Sequence, residues 1–179
     1  MALFKAYSPK VEVNGETVLS IVSGMGAFKA HGLKILKESG IDSPKPGEWY
    51  SQQAWLNSFK IISEKLGDAT LGMIGKSIPK NAKWPPQIDS VEKALPSIDV
   101  AYHMNHRNGE IGHYAYESTG KRSGKMVCNN PYPDAFDMGI IESAGEIFSK
   151  KGDSIKVTQD SKAPSRSKGA DSSTFLIEW

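Results

Sequence analysis

The chain has 179 residues, of which 39% are hydrophobic and 23% charged, and its net charge is only +2. This length fits one domain that buries roughly two-thirds of the surface exposed by its unfolded chain. The charges are mixed in sign along the sequence, and no stripe of basic residues predicts binding to nucleic acid. The single cysteine excludes an internal disulfide framework and is compatible with a reducing compartment.

Neither a membrane segment nor a secretory leader is indicated by the sequence. No stretch approaches the run of about 18 apolar residues that a membrane-spanning helix needs. The N-terminal sequence MALFKAYSPKVEV has no apolar core and turns polar within a few residues. We therefore predict a cytoplasmic protein without a membrane span.

The N-terminal half is predicted to be helical. Apolar residues recur at helical spacing over residues 16–39, and a turn-rich connector follows at 43–50. The next helix ends at Gly67, a residue suited to a C-terminal cap. Its apolar stripe is the clearest in this half and consists of Trp55, Phe59, Ile62 and Leu66. A shorter helix over residues 69–77 and a break at 80–87 complete this part of the chain.

A further helix is predicted to start from the capping pattern at residues 89–92 and to extend to about Arg107. Pro96 lies inside this segment, so we expect it to kink the helix or split it in two. Asn108 and Gly109 form a strong turn signal. This turn separates the mainly helical residues 1–107 from the rest of the chain.

Residues 108–179 are predicted to form a ββαββ unit. The segments 112–118 and 125–129 form a hairpin around the turn TGKRSG, and 154–158 pairs with 174–179. A helix lies between the two pairs. We predict one α+β domain over residues 1–179, in which an N-terminal helical layer packs on a C-terminal four-stranded antiparallel sheet with one covering helix.

The covering helix carries the most consistent local signals. Asp134 is predicted to cap it, and Asp137 adds a second negative charge in its first turn. Lys150, Lys151 and Gly152 are predicted to end it, since basic residues and glycine suit a helix C-terminus.

Several short motifs in the C-terminal part of the chain occur together in one known superfamily. They are IGHY at 111–114, YES at 116–118, CNNPYP at 128–133, FDMG at 136–139, and GAD at 169–171 with Phe175. In these motifs the chain resembles the superfamily that includes the 4-vinyl reductase domain, the heme-based nitric-oxide-binding domain and trafficking-complex subunits of the same fold. The resemblance implies a small-molecule pocket between the helices and the sheet. It also implies a ligand such as heme, an aromatic effector or an acyl chain, or a role in protein assembly.

The chain departs from two branches of this superfamily. The 4-vinyl-reductase-like branch often has cysteines at places that correspond here to Asp134, Ser165 and Ser173, so a multi-cysteine metal site is not expected. The heme-binding branch holds the heme propionates with a Tyr-x-Ser-x-Arg pattern. Tyr116 and Ser118 match this pattern, but Gly120 stands at the arginine position.

Three of the four histidines and the single cysteine are candidate metal ligands. His103 and His106 are three residues apart on the predicted helix, so both side chains can share one face. With His113 on the first strand and Cys128 on its partner strand, they could bind zinc, iron or copper. The alternative is structural: a polar helix end that carries His106, and a buried Cys128 that packs as a small apolar residue.

Aromatic residues near the expected pocket are candidate ligand contacts. Tyr102, Tyr114, Tyr116 and Trp84 could line a site for an aromatic or tetrapyrrole ligand, and the resemblance adds Ser118 as a propionate contact. The alternative is that these aromatic residues only fill the boundary between helices and sheet.

No nucleophile motif, phosphate-binding loop or metalloprotease helix is present, so an enzyme is not the first interpretation. The leading hypothesis is a non-catalytic sensor domain that binds a small apolar molecule or heme. The alternatives are a homodimeric protein-interaction module without a ligand and an enzyme with a histidine-bound metal. We also expect a homodimer, and a separate effector protein for a sensor that carries no output domain of its own.

Overall fold

The computed structural model describes residues 3–82, 84–151 and 153–179. Its N-terminal half consists of β1 (Glu12–Asn14), α1 (Gly15–Val18), α2 (Ser20–Gly24), a 3₁₀ turn (Gly26–Phe28), α3 (Lys29–Glu38), β2 (Trp49–Ser51), α4 (Gln52–Leu66), α5 (Asp68–Asn81), α6 (Val91–Met104) and β3 (His106–Arg107). The C-terminal half consists of β4 (His113–Gly120), β5 (Ser123–Asn129), α7 (Asp134–Phe148), β6 (Lys156–Gln159), a 3₁₀ turn (Arg166–Lys168) and β7 (Ser173–Glu178). Among the described helices, none has the length and apolar character needed to cross a bilayer.

The C-terminal half forms the predicted four-stranded antiparallel sheet, with the strand order β4-β5-β7-β6. Tyr114 pairs with Cys128 across β4 and β5, and Met126 pairs with Phe175 across β5 and β7. All four side chains are buried, because alternate residues of each strand face the covering helix. The α+β class and the ββαββ order are therefore confirmed.

Helix α7 is the central helix, since the sheet covers one side of it and α5 covers the other. Its contact with α5 depends on glycines that let the two backbones approach closely. A Cβ atom built on Gly75 would lie 2.1 Å from the Phe136 carbonyl oxygen, and one built on Gly139 would lie 2.3 Å from the Gly72 carbonyl oxygen. Any larger side chain at Gly75 or Gly139 therefore has to push the helices apart.

We expect Gly75→Ala to destabilise the fold by about 1–3 kcal/mol, because the clash with the α7 backbone outweighs the better helix propensity of alanine. Gly72→Ala is the matched control on the same helix, since its Cβ would lie 3.6 Å from the nearest atom, an ordinary contact. This control should be neutral or up to about 1 kcal/mol more stable. Urea unfolding followed by circular dichroism measures both, and equal stability of the two variants would contradict this packing.

A second, small sheet in the N-terminal half was not predicted. It has the order β2-β1-β3 and joins segments that are far apart in the sequence. Strand β2 lies at the end of the predicted connector 43–50. Strand β3 replaces the predicted last turn of α6, because pairing of His106 with Val13 draws the chain into an extended conformation. His103 and His106 consequently do not share a helix face, which corrects the prediction.

The boundaries of other predicted elements also change. The predicted helix 16–39 is divided into α1, α2, a 3₁₀ turn and α3, and the backbone of Gly26 has a positive φ of 52°. In contrast, Pro96 does not split α6, which is one helix over Val91–Met104. Gly67 ends α4 as predicted, and its N–H donates to the Ile62 carbonyl oxygen at 3.0 Å.

The ends of α7 differ from the prediction. Asp134 is the first residue of the helix, and its side chain makes no capping hydrogen bond. The helix ends at Phe148, before the predicted basic end formed by Lys150 and Lys151. Gly152 lies outside the described residues.

Candidate functional site: a cavity between helices and sheet

A cavity of about 390 Å³ lies between α6, the end of α5 and α7, with Tyr114 of β4 lining it from the sheet, and we call it the helix–sheet cavity. Trp55, Tyr132 and Phe136 form its aromatic wall, and Ile98 and Ala101 of α6 also line it. The described residues that line it include no Asp, Glu, Lys or Arg. The chemistry of the cavity therefore suits a neutral and largely apolar molecule.

The aromatic wall is packed against itself and is well ordered by those contacts. The Trp55 ring meets the rings of Phe59, Tyr132 and Phe136 edge-on, with centroids 4.8, 5.3 and 6.1 Å away. Trp84 lines the cavity from the segment after α5, where its Nε1–H donates to the Pro79 carbonyl oxygen at 2.9 Å. These contacts hold the wall in shape before any ligand binds.

A chain of hydrogen bonds runs along the polar side of the cavity. Gln52 Nε2 donates to the Tyr132 hydroxyl at 3.0 Å, and that hydroxyl donates to His106 Nε2 at 2.8 Å. The other ring nitrogen of His106, Nδ1, donates to the Tyr102 carbonyl oxygen at 2.8 Å. The Tyr102 hydroxyl in turn donates to the Ile111 carbonyl oxygen at 2.5 Å. Both nitrogens of His106 are thus engaged in this chain.

Burial keeps these groups neutral. It lowers the pKa of His106 from 6.5 to about 4, since a buried imidazolium loses its hydration. Burial also raises the pKa of the Tyr102 and Tyr132 hydroxyls above their ordinary values. The cavity therefore presents uncharged donors and acceptors at neutral pH.

One buried polar atom of the cavity wall has no partner. Trp55 is only 1% exposed, and its Nε1–H makes no hydrogen bond to any described residue. A buried donor without a partner costs about 1–3 kcal/mol. This cost makes Trp55 a candidate contact for a ligand acceptor atom.

The predicted ligand contacts divide into two groups. Tyr102, Tyr114 and Trp84 line the cavity, whereas Tyr116 and Ser118 do not. Tyr116 lies over Gly124 on the sheet, and Ser118 is exposed near the β4–β5 turn. Trp55 and Tyr132 were not among the predicted contacts, because the sequence around Trp55 indicates only the apolar stripe of a packed helix.

The described residues do not fit a heme held in the manner that the resemblance implies. Gly120 provides no cation, and Tyr116 and Ser118 lie outside the cavity. Arg122 follows closely in the sequence, but it forms an ion pair with Asp153 at 2.8 Å and donates to the Trp179 carbonyl oxygen. Heme iron is commonly held by a histidine nitrogen. Among the described residues that line the cavity the histidine is His106, and its acceptor nitrogen already accepts a hydrogen bond from the Tyr132 hydroxyl.

The predicted metal ligands do not form one site. His103 and His113 lie close together, with ring centroids 5.0 Å apart. His106 points instead to Tyr102 and Tyr132, because its position on β3 turns it into the core. Cys128 is fully buried in the sheet, and burial raises the pKa of its thiol well above the ordinary value. The predicted group of three histidines with Cys128 is therefore not assembled.

A buried ionic cluster near the start of α7 was not predicted from the sequence. Arg166 is 4% exposed and donates to Asp134 Oδ1 at 2.7 Å and to Asp137 Oδ2 at 2.6 Å. It also donates to the Asn130 side-chain oxygen at 2.5 Å, and Ser173 donates to Asp134 at 2.7 Å. Asp134 thus binds Arg166 rather than capping α7, which corrects the prediction, whereas Asp137 lies in the first turn of α7 as predicted.

Asp137 occupies the centre of this cluster. It is fully buried and accepts hydrogen bonds from the Tyr114 hydroxyl at 2.5 Å and from Asn130 Nδ2 at 3.1 Å. Burial raises the pKa of its carboxyl, while the positive charge of Arg166 and these hydrogen bonds oppose that rise. The cluster joins α7, the sheet and the loop before β7.

The sequence matches no known protein-family profile, and no curated protein matches it. Solved structures, however, are similar over nearly the whole chain. An H-NOX protein from S. oneidensis in the Fe(II)NO ligation state shares 12% identity, with a TM-score of 0.67 over 91% of this chain and 97% of that chain. A point mutant of T. tengcongensis H-NOX shares 16% identity, with a TM-score of 0.66 over 92% of this chain and 96% of that one.

A third structure comes from work on the function of heme distortion in the H-NOX family. It shares 17% identity, with a TM-score of 0.67 over 93% of this chain and 94% of that chain. At these identities the similarity concerns the fold. The chain has the heme-nitric-oxide-binding fold of H-NOX domains, which confirms that part of the resemblance seen in its motifs.

Proposed function

We propose that the protein is a non-catalytic ligand-binding domain of the sensor type and that the helix–sheet cavity binds one small, neutral, largely apolar or aromatic molecule. The observation that carries this proposal is the cavity itself. Its volume of about 390 Å³ is within the range of small-molecule sites, and its walls are mainly aromatic and aliphatic. The similar H-NOX structures support a sensor role for a domain of this fold.

The polar groups of the cavity suit recognition rather than catalysis. The hydroxyl groups of Tyr102 and Tyr132 and the imidazole of His106 are tied into one chain of hydrogen bonds and stay uncharged. The indole N–H of Trp55 is left to bind an acceptor such as a carbonyl oxygen. We therefore expect a ligand with an apolar body and one acceptor atom.

Heme is the other ligand that the fold suggests, since the similar H-NOX structures include heme proteins. The described residues argue for a smaller ligand, because the propionate contacts are outside the cavity and His106 Nε2 is engaged by Tyr132. We therefore consider heme the less favoured ligand, and the following experiment distinguishes heme from a small neutral ligand.

The test is native mass spectrometry of freshly purified protein, compared with its denatured mass, followed by titration with hemin and with the neutral probe N-phenyl-1-naphthylamine. We expect one-to-one binding of the probe and no Soret shift that signals stoichiometric hemin binding. Stoichiometric binding of hemin would show that the ligand of the cavity is heme and not a small apolar molecule. Binding of neither compound, with no excess native mass, would overturn the proposal.

We predict that Ala101→Trp fills the cavity and weakens binding of the probe at least about tenfold, because a bulky side chain on α6 would occupy the ligand volume. Ala30→Trp on the exposed side of α3 is the matched control and should bind the probe like the wild type. Fluorescence titration measures both variants, and circular dichroism checks that each is folded. Unchanged binding by Ala101→Trp would show that the probe binds elsewhere.

A second candidate function is the predicted homodimeric interaction module. Val100 and Met104 lie one turn apart on α6, are 61% and 74% exposed, and both border the helix–sheet cavity, so they form a small exposed apolar surface at its rim. The native mass spectrum reports the oligomeric state directly. A dimer that loses its second subunit in Val100→Lys, without any bound ligand, would favour this function.

The relationship to the 4-vinyl-reductase-like branch stays a prediction. Two of the three places where that branch often has cysteines, Asp134 and Ser173, are in direct contact, and the third, Ser165, precedes the Arg166 that joins them. This arrangement supports the relationship, with an ionic cluster in place of a cysteine site.

A further inference from the structure

Asp99, His103 and His113 form a cluster outside the helix–sheet cavity. One potential ligand atom from each residue lies within 4.8 Å of the other two. Asp99 and His103 are four residues apart on α6, and His113 begins β4. The cluster therefore joins a helix to a strand, and none of its members lines the cavity.

The carboxylate of Asp99 is held in place by the backbone. Its Oδ1 accepts the Tyr114 N–H at 2.8 Å, which fixes its orientation between the two imidazoles. Oδ1 lies 3.6 Å from Nδ1 of His113. Two ligand atoms bound to one tetrahedral zinc at about 2.0–2.2 Å are separated by roughly 3.3–3.6 Å, so the observed spacing is close to that of a metal site.

The hydrogen bond between His103 and the backbone also resembles that of a metal-binding histidine. Its Nδ1 lies 2.9 Å from the Asp99 carbonyl oxygen. In the tautomer with its proton on Nδ1, His103 donates to that carbonyl, and Nε2 keeps the lone pair that would bind the metal. Metal-binding histidines commonly donate their second N–H to a carbonyl or carboxylate in this way.

The charge and exposure of the cluster suit a cation. Among the described residues, no Lys or Arg forms an ion pair with Asp99, and the ionisable side chains beside it are the two histidines. The side chains of His103 and His113 are 41% and 58% exposed, so an ion can reach them from solvent. Two imidazoles and one carboxylate are the ligand set of many zinc and other divalent transition-metal sites.

We propose that Asp99, His103 and His113 bind one divalent transition-metal ion of the zinc class, with the remaining coordination position taken by water. The ion links α6 to β4, two elements that also line the helix–sheet cavity. This site differs from the predicted one, because Asp99 takes part and His106 and Cys128 do not. The proposal does not depend on the cavity ligand, so either can fail alone.

The test uses untagged, chelator-treated protein titrated with ZnCl₂ by isothermal calorimetry and with CoCl₂ by visible absorbance. We expect the protein to bind one equivalent of metal and the Co²⁺ complex to show the d–d absorption bands of a four-coordinate site. Zn²⁺ should also raise the midpoint of thermal unfolding. His113→Asn and His103→Gln should each weaken binding at least about tenfold and abolish the bands. His31→Asn is the matched control, since His31 is the remaining histidine and is exposed on α3.

Two results would overturn the proposal. One is the lack of saturable Zn²⁺ binding by the folded wild-type protein. The other is binding that His103→Gln and His113→Asn leave unchanged, or that His31→Asn removes, since the metal would then be held elsewhere. The asparagine and glutamine variants keep polar side chains at exposed positions, so we expect them to fold.

Discussion

Arg166→Ala is expected to destabilise the protein by about 3–5 kcal/mol, the cost of leaving buried carboxylates without their cation. Arg166 is the only described side chain that neutralises the fully buried Asp137, which it contacts at 2.6 Å. The same guanidinium binds Asp134 at 2.7 Å. Chemical denaturation followed by circular dichroism measures the effect, provided that the variant remains folded in the absence of denaturant.

A matched control and a double variant separate charge from packing. Lys168→Ala changes an exposed basic residue in the same 3₁₀ turn and should alter stability by less than about 0.5 kcal/mol. Asp137→Asn combined with Arg166→Met removes both buried charges, so it should be less damaging than the sum of the single variants. A loss below about 1 kcal/mol in Arg166→Ala would show that the cluster does not hold α7 to the sheet.

Stability is expected to fall by about 3 kcal/mol as the pH decreases from above 6.5 to about 4, owing to His106 alone. Burial lowers the pKa of His106 from 6.5 to about 4. Below pH 6.5 the unfolded chain binds a proton that the folded protein does not accept, so acid favours unfolding until the pH reaches about 4. Above pH 6.5 His106 is neutral in both states, and its effect on stability no longer depends on pH.

The measurement is the free energy of unfolding across this pH range, in the presence of chelator, for wild type and His106→Gln. The glutamine side chain can still accept a hydrogen bond from the Tyr132 hydroxyl, but it does not titrate. The hydroxyls of Tyr102 and Tyr132, which face His106, do not titrate in this range, since the ordinary pKa of 10.0 lies far above it and burial raises it further. Asp137, whose pKa burial also raises, is present in both proteins, so the difference between them isolates His106. Parallel pH profiles would contradict the prediction.

The proposed cavity ligand and the proposed metal ion use different faces of α6. Ala101 and Tyr102 line the cavity, whereas Asp99 and His103 belong to the metal cluster. Tyr114 connects the two, because its ring lines the cavity and its N–H holds Asp99. Variants of Ala101 and of His103 therefore each serve as a control for the other site, whereas variants of Tyr114 would affect both.

The sequence by itself determined the α+β class, the four strands of the C-terminal sheet and the helix between them. These elements have strong local signals: alternating apolar residues in the strands, and a helical stripe that includes Phe136, Ile140 and Ala144 in α7. The end of α4 at Gly67 was also predictable, because a glycine cap is a local property of the backbone.

Only the tertiary structure decided which polar residues meet. His106 belongs to β3 because Val13, from the start of the chain, pairs with it. Asp134 and Asp137, both in the first turn of α7, bind Arg166 because the loop before β7 brings the guanidinium to them. Asp99 joins His103 and His113 because α6 packs beside β4. Local patterns determine elements, whereas these contacts between distant segments depend on how the elements pack, which periodicity does not encode.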